Sequence, residues 1–355
     1  MKVLITGICG FVGSSLARAW VGADAKIEIY GLDNFIRPGS EDNRIPLLKR
    51  CVKLFHGDIR VPSDFETLPK VDWVIDAAAN PSVLAGTDGN TSSRQLIEHN
   101  LIGTVNILEY CKKHGAGFIM LSTSRVYSIK PLSNLIVEPI AQAFRLSEGQ
   151  LFPPGVSSAG VSEAFSTAAP VSLYGSTKLA SEVMALEYGE TFDFPVWINR
   201  CGVMAGAGQF GKADQGIFAY WINEYLRRRP LKYIGFGGSG FQVRDCLHPR
   251  DLIPLLQKQT GTAPCHEVRL VNIGGGGSHA MSLAQLSAWC ADRFGSHSIG
   301  SEPAVRRFDI PWMIMDCRLA EQIWNWRPQT SLNQILDEIA YHAQEHPNWL
   351  EISGA

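Results

Sequence analysis

The chain has 355 residues, 45% of them hydrophobic, enough apolar material to bury a sheet on both faces and to form two lobes around one extended core. Charged residues make up 19% and the formal net charge is −2, which argues against a nucleic-acid or anionic-membrane partner. Eight cysteines, at 9, 51, 111, 201, 246, 265, 290 and 317, form no CxxC pair; they read as reduced thiols of a cytoplasmic protein that needs no membrane span.

The chain opens with an apolar run, Val3-Leu4-Ile5, then Thr6-Gly7-Ile8-Cys9-Gly10-Phe11-Val12-Gly13, then a helical pattern through Leu16, Ala17 and Trp20. In that strand–turn–helix order Gly7 permits the tight turn, Gly10 lets the backbone approach a pyrophosphate, and Gly13 lets the helix pack close to the strand. A secretory signal is the rival reading; one lysine is a thin basic region, and the glycines interrupt the apolar stretch. The second strand runs Ile27 to Leu32 and ends at Asp33, an acid placed to accept from ribose hydroxyls and repel a 2′-phosphate, which favours NAD over NADP. Arg37 and Arg60 pull the other way, as candidate partners of a 2′-phosphate. Asp58, in Gly57-Asp58-Ile59, reads either as a partner of the adenine amino group or as an ordinary turn aspartate.

Further strands are expected at Val71–Ile75 and Phe118–Leu121, with a helix over Leu101–Tyr110 between them, so the fold class is α/β: a Rossmann-type doubly wound parallel sheet. Tyr174-Gly-Ser-Thr-Lys178 puts a phenol and an ammonium at i and i+4 on one helix face. The lysine charge is expected to lower a phenol pKa that starts at about 10 and make the tyrosine a base for an alcohol proton. After residue 200 the pattern loosens: Gly235 to Gly240 reads as a hairpin turn, and Gly274 to Gly277 as a loop before a helix starting near Ser282. A smaller C-terminal α/β substrate lobe is expected, with a cofactor-binding domain over 1–202 and the second lobe over 203–355 sending segments back to the first. No metal site is expected; His342 and His346 share a helix face without a third ligand and read as part of a solvated last helix.

The ordered set Gly7 to Gly13, Asp33-Asn34, Gly57-Asp58, Ala77-Ala78-Ala79, Asn100, Ser122-Thr123-Ser124, Tyr174 with Lys178, Arg244-Asp245 and Asn272-Ile273-Gly274 resembles the extended short-chain dehydrogenase/reductase (NAD-dependent epimerase/dehydratase) family over nearly the whole chain. The resemblance implies that Thr123 hydrogen-bonds the reacting hydroxyl, Tyr174 transfers its proton, and Lys178 holds the nicotinamide ribose while tuning Tyr174. It places NAD against Gly7, Gly10, Phe11, Val12, Gly13, Asp33, Asn34, Arg37, Asp58, Ile59, Ala78 and Asn100, together with Tyr174 and Lys178. A nucleotide-sugar substrate falls to Pro81, Ser82, Ser124, Arg125, Gln209, Gln215, Arg244 and Arg306. Arg244 matches an arginine that grips the diphosphate, a task its planar guanidinium suits; a structural ion pair is the alternative.

Branches of that family differ after Thr123. Dehydratases carry an acid pair there to expel water, and this chain has Ser124-Arg125, so the agent of dehydration is missing. Redox-neutral epimerisation needs no such acid. The segments from Asp33 to Asn43, Asn80 to Val83, Ser122 to Tyr127 and Gln209 to Gly216 resemble the CDP-paratose/CDP-tyvelose 2-epimerase branch, as does the long insertion between Tyr127 and Tyr174. Ser128, Asn80, Val171 and Arg306-Arg307-Phe308-Asp309 depart from that branch's pattern. A reductase or dehydrogenase with net redox turnover and a non-catalytic NAD-binding regulator are the alternatives. Apolar stripes near 97–113 and 174–189 imply a homodimer, because the family pairs these helices across a two-fold axis.

Overall fold

A computed structural model describes residues 1–84, 92–212, 215–262, 267–304 and 308–354. Seven strands form one fully parallel sheet in the order Leu270–Ile273, Val196–Cys201, Gly117–Thr123, Trp73–Asp76, Lys2–Thr6, Glu28–Asp33, Lys53–His56. Successive side chains of a strand point to opposite faces, and here both faces are covered. Val3, Ile5, Ile75 and Ile119 therefore join one core with Trp20, while Leu4, Val74, Phe118 and Met120 join the other with Ile107 and Leu108. The expected strands and the Rossmann-type class are all present.

The chain builds outward from Lys2–Thr6 to one edge, then returns to add Trp73–Asp76 on the other side. That reversal opens a crevice at the carboxyl ends of the two central strands, where ligands of open α/β sheets bind. The helix between Trp73–Asp76 and Gly117–Thr123 is longer than expected and contains a π-helical stretch, Glu98–Ile102, before Gly103–His114. Asn100 is buried there; its backbone carbonyl accepts from both Thr104 and Ser181, which ties the stretch to the neighbouring helix Ser172–Phe192.

A second sheet groups Val203–Met204, Val243–Leu247 and Ala280–Ser282, with Trp312–Met313 also paired to Val243–Leu247. Helices Ile217–Leu226, Leu283–Phe294 and Leu332–Glu345 cover a separate core around Trp221, Ile222, Leu286 and Ile335. Ser282 caps its helix as expected, exchanging hydrogen bonds with Gln285 in a capping box. The hairpin expected at Gly235 to Gly240 is not formed. Leu231–Ile234 pairs in parallel with Ile299–Glu302, and Val243–Leu247 belongs to a different sheet, so the glycines carry the chain between sheets. A parallel partner cannot be reached through a tight turn.

The insertion forms two short hairpins, Val137–Ile140 with Ala143–Leu146 and Val156–Ser157 with Gly160–Val161. It packs its apolar residues against Ile310 to Met315. His342 lies on a helix that buries Ile335, Leu336, Ile339 and Ala343, and a further short helix, Trp349–Ile352, follows it. His342 stacks on His346 at 4.1 Å and is half-buried rather than solvated.

Candidate functional site

The glycine loop forms the floor of the crevice. Gly7 takes φ of 62°, a left-handed conformation that glycine adopts without a Cβ penalty, and its amide donates to the Leu32 carbonyl at 2.8 Å. A Cβ on Gly13 would stand 2.4 Å from the Gly7 carbonyl oxygen, and one on Gly7 would stand 2.8 Å from Ala78 Cα, so this is a cradle that only glycine fits. Helix Phe11–Ala23 starts with Gly10 as its N-cap and no side-chain cap, leaving its first amides directed at the crevice. Asp33 closes the far wall: its carboxylate accepts from the Cys9 amide at 2.8 Å and the Phe35 amide at 2.9 Å, and burial raises its pKa against those bonds.

Around this floor a cavity of about 390 Å³ gathers Gly7, Gly10, Phe11, Val12, Gly13, Asp33, Asn34, Arg37, Ile59 and Ala78 with Pro81, Thr123, Ser124, Arg125, Tyr174, Gln209 and Gln215. The expected cofactor and substrate sides thus share one space. Thr123 ends the strand Gly117–Thr123 and accepts from the Arg125 amide at 3.2 Å. Tyr174 and Lys178 lie one turn apart on helix Ser172–Phe192, 7% and 2% exposed. Two local features seat that helix. Ser172 takes φ of 73° while its hydroxyl accepts from the Gly175 amide, and a Cβ on Gly175 would stand 2.2 Å from the Arg125 carbonyl oxygen. One turn beyond Lys178, the buried Glu182 pairs with Arg200 at 2.6 Å and accepts from Ser122. Arg200 also reaches the Tyr127 hydroxyl, which donates to Asn272 at 2.7 Å, so a buried polar network fixes the helix to the sheet.

The electrostatics differ from the expectation at Tyr174. Burial pushes its phenol up to about 12, while the Thr123 hydroxyl and the Arg125 guanidinium pull it down. Desolvation outweighs the helical spacing, and Lys178 instead acts on Cys201, whose thiol burial has raised to about 12.

Five expected residues stand just outside the cavity lining. Lys178 is buried one helical turn after Tyr174, and Asn100 holds Asn80 by accepting from its amide at 2.8 Å and donating to its carbonyl. Ser82 sits between the lining residues Pro81 and Val83. Burial alone would raise the Asp58 pKa, yet the bidentate Arg60 and the Asn34 amide hold it well below the carboxylate range. Arg244 pairs with Asp309 at 3.0 Å and donates to the Ile310 carbonyl, so the ion-pair alternative is present. Arg306 lies outside the described residues.

Arg60 and Arg37, the candidate partners of a 2′-phosphate, are both engaged. Arg37 donates to Gln215 Oε1 at 3.1 Å and to the Phe210 carbonyl at 3.2 Å, joining two segments of the cavity wall that are distant in sequence. Sequence reasoning passed over Ser40, His99, Cys201 and Phe210, all of which line the cavity. The rule that crevices form at strand carboxyl ends would have found Cys201, the last residue of Val196–Cys201. Phe210 stacks on Trp349, and the Trp349 indole donates to the Gln209 carbonyl; no local pattern signals that contact.

A dinucleotide fits these residues. Besides the glycine cradle, Ser40 Oγ and Gln209 Oε1 are buried in the cavity wall with no hydrogen-bond partner among the described residues, two polar atoms suited to a polar ligand.

Comparison with known proteins agrees with this geometry. The model of the NAD dependent epimerase/dehydratase family matches residues 3–258. The CDP-paratose 2-epimerase of Salmonella typhi is 28% identical over 342 residues, covering 93% of this chain and 96% of that protein. An uncharacterized UDP-glucose epimerase of Bacillus subtilis (strain 168) is 28% identical over 355 residues, 96% of this chain and 98% of its own. Among solved structures, the UDP-glucuronic acid 4-epimerase of Bacillus cereus, in complex with UDP-glucuronic acid and NAD, shares the fold: TM-score 0.74 at 24% identity, over 97% of this chain and 99% of that one. With the glycine cradle, the Tyr174/Lys178 helix and a family match over most of its length, this chain belongs to the NAD dependent epimerase/dehydratase family and uses NAD as its cofactor.

Proposed function

We propose that the protein is an NAD-dependent epimerase of a nucleotide-activated sugar, acting on a substrate of the CDP-paratose/CDP-tyvelose class. The observation that carries this reading is the joining of Thr123 and Tyr174 to the glycine cradle in one cavity, with Ser124 and Arg125 where a dehydratase needs acids. Similarity to the Salmonella typhi CDP-paratose 2-epimerase supports the substrate class.

NAD, when bound, supplies a reversible hydride acceptor. The chain's own residues do the rest. Tyr174 takes the proton of the reacting hydroxyl and returns it, Thr123 orients that hydroxyl, and Lys178 holds the ribose beneath it. We assign the diphosphate to Arg244 and Arg306, and the rest of the sugar nucleotide to Pro81, Ser82, Gln209 and Gln215. To the adenosine and ribose side we assign Asp33, Asn34, Ile59 and Ala78, with Asp58 and Asn100 behind them. We divide the chain at about residue 202 into a cofactor-binding unit and a substrate-binding unit, and place the protein in the cytoplasm, where its buried free thiols stay reduced.

The test is a panel of CDP-, UDP- and dTDP-linked sugars offered to the purified protein in deuterated water. Inversion of one carbinol centre without NADH accumulation and without deuterium at that carbon is the expected result. NADH formed in step with product would identify a dehydrogenase instead, and deuterium at the inverted carbon would replace hydride return by deprotonation.

A further inference from the structure

We propose that Arg125 acts through Tyr174: its guanidinium supplies the positive charge that stabilises the phenolate form of that residue, making Arg125 a positioning residue for the proton transfer. This rests on the reading of Tyr174 as the proton carrier.

The two residues sit on elements locked in contact. Arg125 lies in the short turn Ser124–Val126, entered through Thr123, whose side chain caps the turn. Helix Ser172–Phe192 packs on the same turn with no space to spare, since any side chain at Gly175 would collide with the Arg125 carbonyl. Arg125 and Tyr174 then face one cavity together with Thr123. The arginine backbone amide is used locally, while among the described residues its guanidinium enters no hydrogen bond or ion pair. The other described arginines discussed above are committed: Arg37 to Gln215, Arg60 to Asp58, Arg200 to Glu182, Arg244 to Asp309.

A cation outside any close ion pair, in a partly dry wall, acts strongly on a nearby ionisable group, because little water screens it. Burial and Arg244 lower the Arg125 pKa to about 10 while the Asp309 carboxylate and Tyr174 raise it, which leaves it charged at neutral pH. The groups around the phenol are few. Thr123 reaches it from the central strand, Arg125 from the turn, and Cys201, on strand Val196–Cys201, opposes its ionisation. Lys178 lies one turn along the same helix and acts on Cys201. Beyond Arg125, the Arg244 charge is met by Asp309.

The test reads the phenol directly and needs no substrate. The full chain is labelled with 3-fluorotyrosine, which lowers the intrinsic phenol pKa into a range the fold tolerates, and titrated by ¹⁹F NMR. The resonance of residue 174 is assigned by its loss in Tyr174→Phe. In Arg125→Gln its midpoint should rise by roughly one pH unit or more, the size expected of a removed neighbouring charge. Arg125→Met, which keeps the length of the aliphatic stem, gives the same reading should the glutamine variant fail to fold. Arg125→Lys, which keeps the charge, should restore most of the shift. Equal midpoints in wild type and both neutral variants would overturn the proposal. Failure of every nucleotide sugar to turn over would instead strike the proposed reaction and leave this titration standing.

Discussion

Asp245 carries a carboxyl group to a place where water does not reach. It is 2% exposed and accepts from the Gly276 amide at 3.0 Å, and burial still raises its pKa to about 6. Between roughly pH 4 and 6 the folded chain therefore keeps a proton that the unfolded chain has lost, so this group's contribution to stability falls as pH rises through that window. Asp245→Asn keeps an acceptor for Gly276 without the charge. Urea unfolding at pH 4 and at pH 7 should show the variant gaining on the wild type by about 2–3 kcal/mol at the higher pH. At Tyr174 the expected effect is on chemistry. Tyr174→Phe should retain NAD, measured by calorimetry, yet lose about a hundred- to ten-thousandfold in turnover; Thr123→Val should lower turnover with NAD affinity nearly unchanged.

Among the elements, the first strand–loop–helix unit has little tolerance. Gly13→Ala places a methyl group 2.4 Å from the Gly7 carbonyl, and the backbone there cannot yield without opening the loop. NAD binding should fall at least tenfold by calorimetry, with far-UV circular dichroism unchanged. This unit was legible in sequence because its glycines, strand and helix are consecutive, and Tyr174 with Lys178 because a helix fixes their spacing. Other parts depend on distant partners. The glycines at 235–240 imitate a local turn, but the strand that Leu231–Ile234 pairs with begins 65 residues after its last member, at Ile299. Phe210 meets Trp349, and Ser40 meets the cavity, only once segments far apart in sequence have come together. The direction of the Tyr174 shift was misread because spacing reports a neighbour's charge and not the loss of water around the phenol.

Across the whole molecule, the helices Ser93–Ile97 to Gly103–His114 and Ser172–Phe192 pack on each other yet leave Ile97, Ile102, Leu173 and Val183 exposed, at 41%, 43%, 39% and 54%. We infer that a second copy covers them in a two-fold dimer. Light scattering at micromolar concentration should give twice the chain mass, and Val183→Glu with Ile102→Lys should shift it toward one; a single-chain mass for the wild type counts against the dimer. The sheet order has a consequence for biosynthesis. Val196–Cys201, buried along its whole length, is flanked on one side by Leu270–Ile273, a strand that begins 69 residues after Cys201. Until then the nascent chain holds an open, apolar strand edge, the kind that recruits other chains. A chain ending at residue 202 keeps that edge for good and should accumulate as insoluble aggregate in the cell, whereas the full chain remains in the soluble fraction under the same expression conditions.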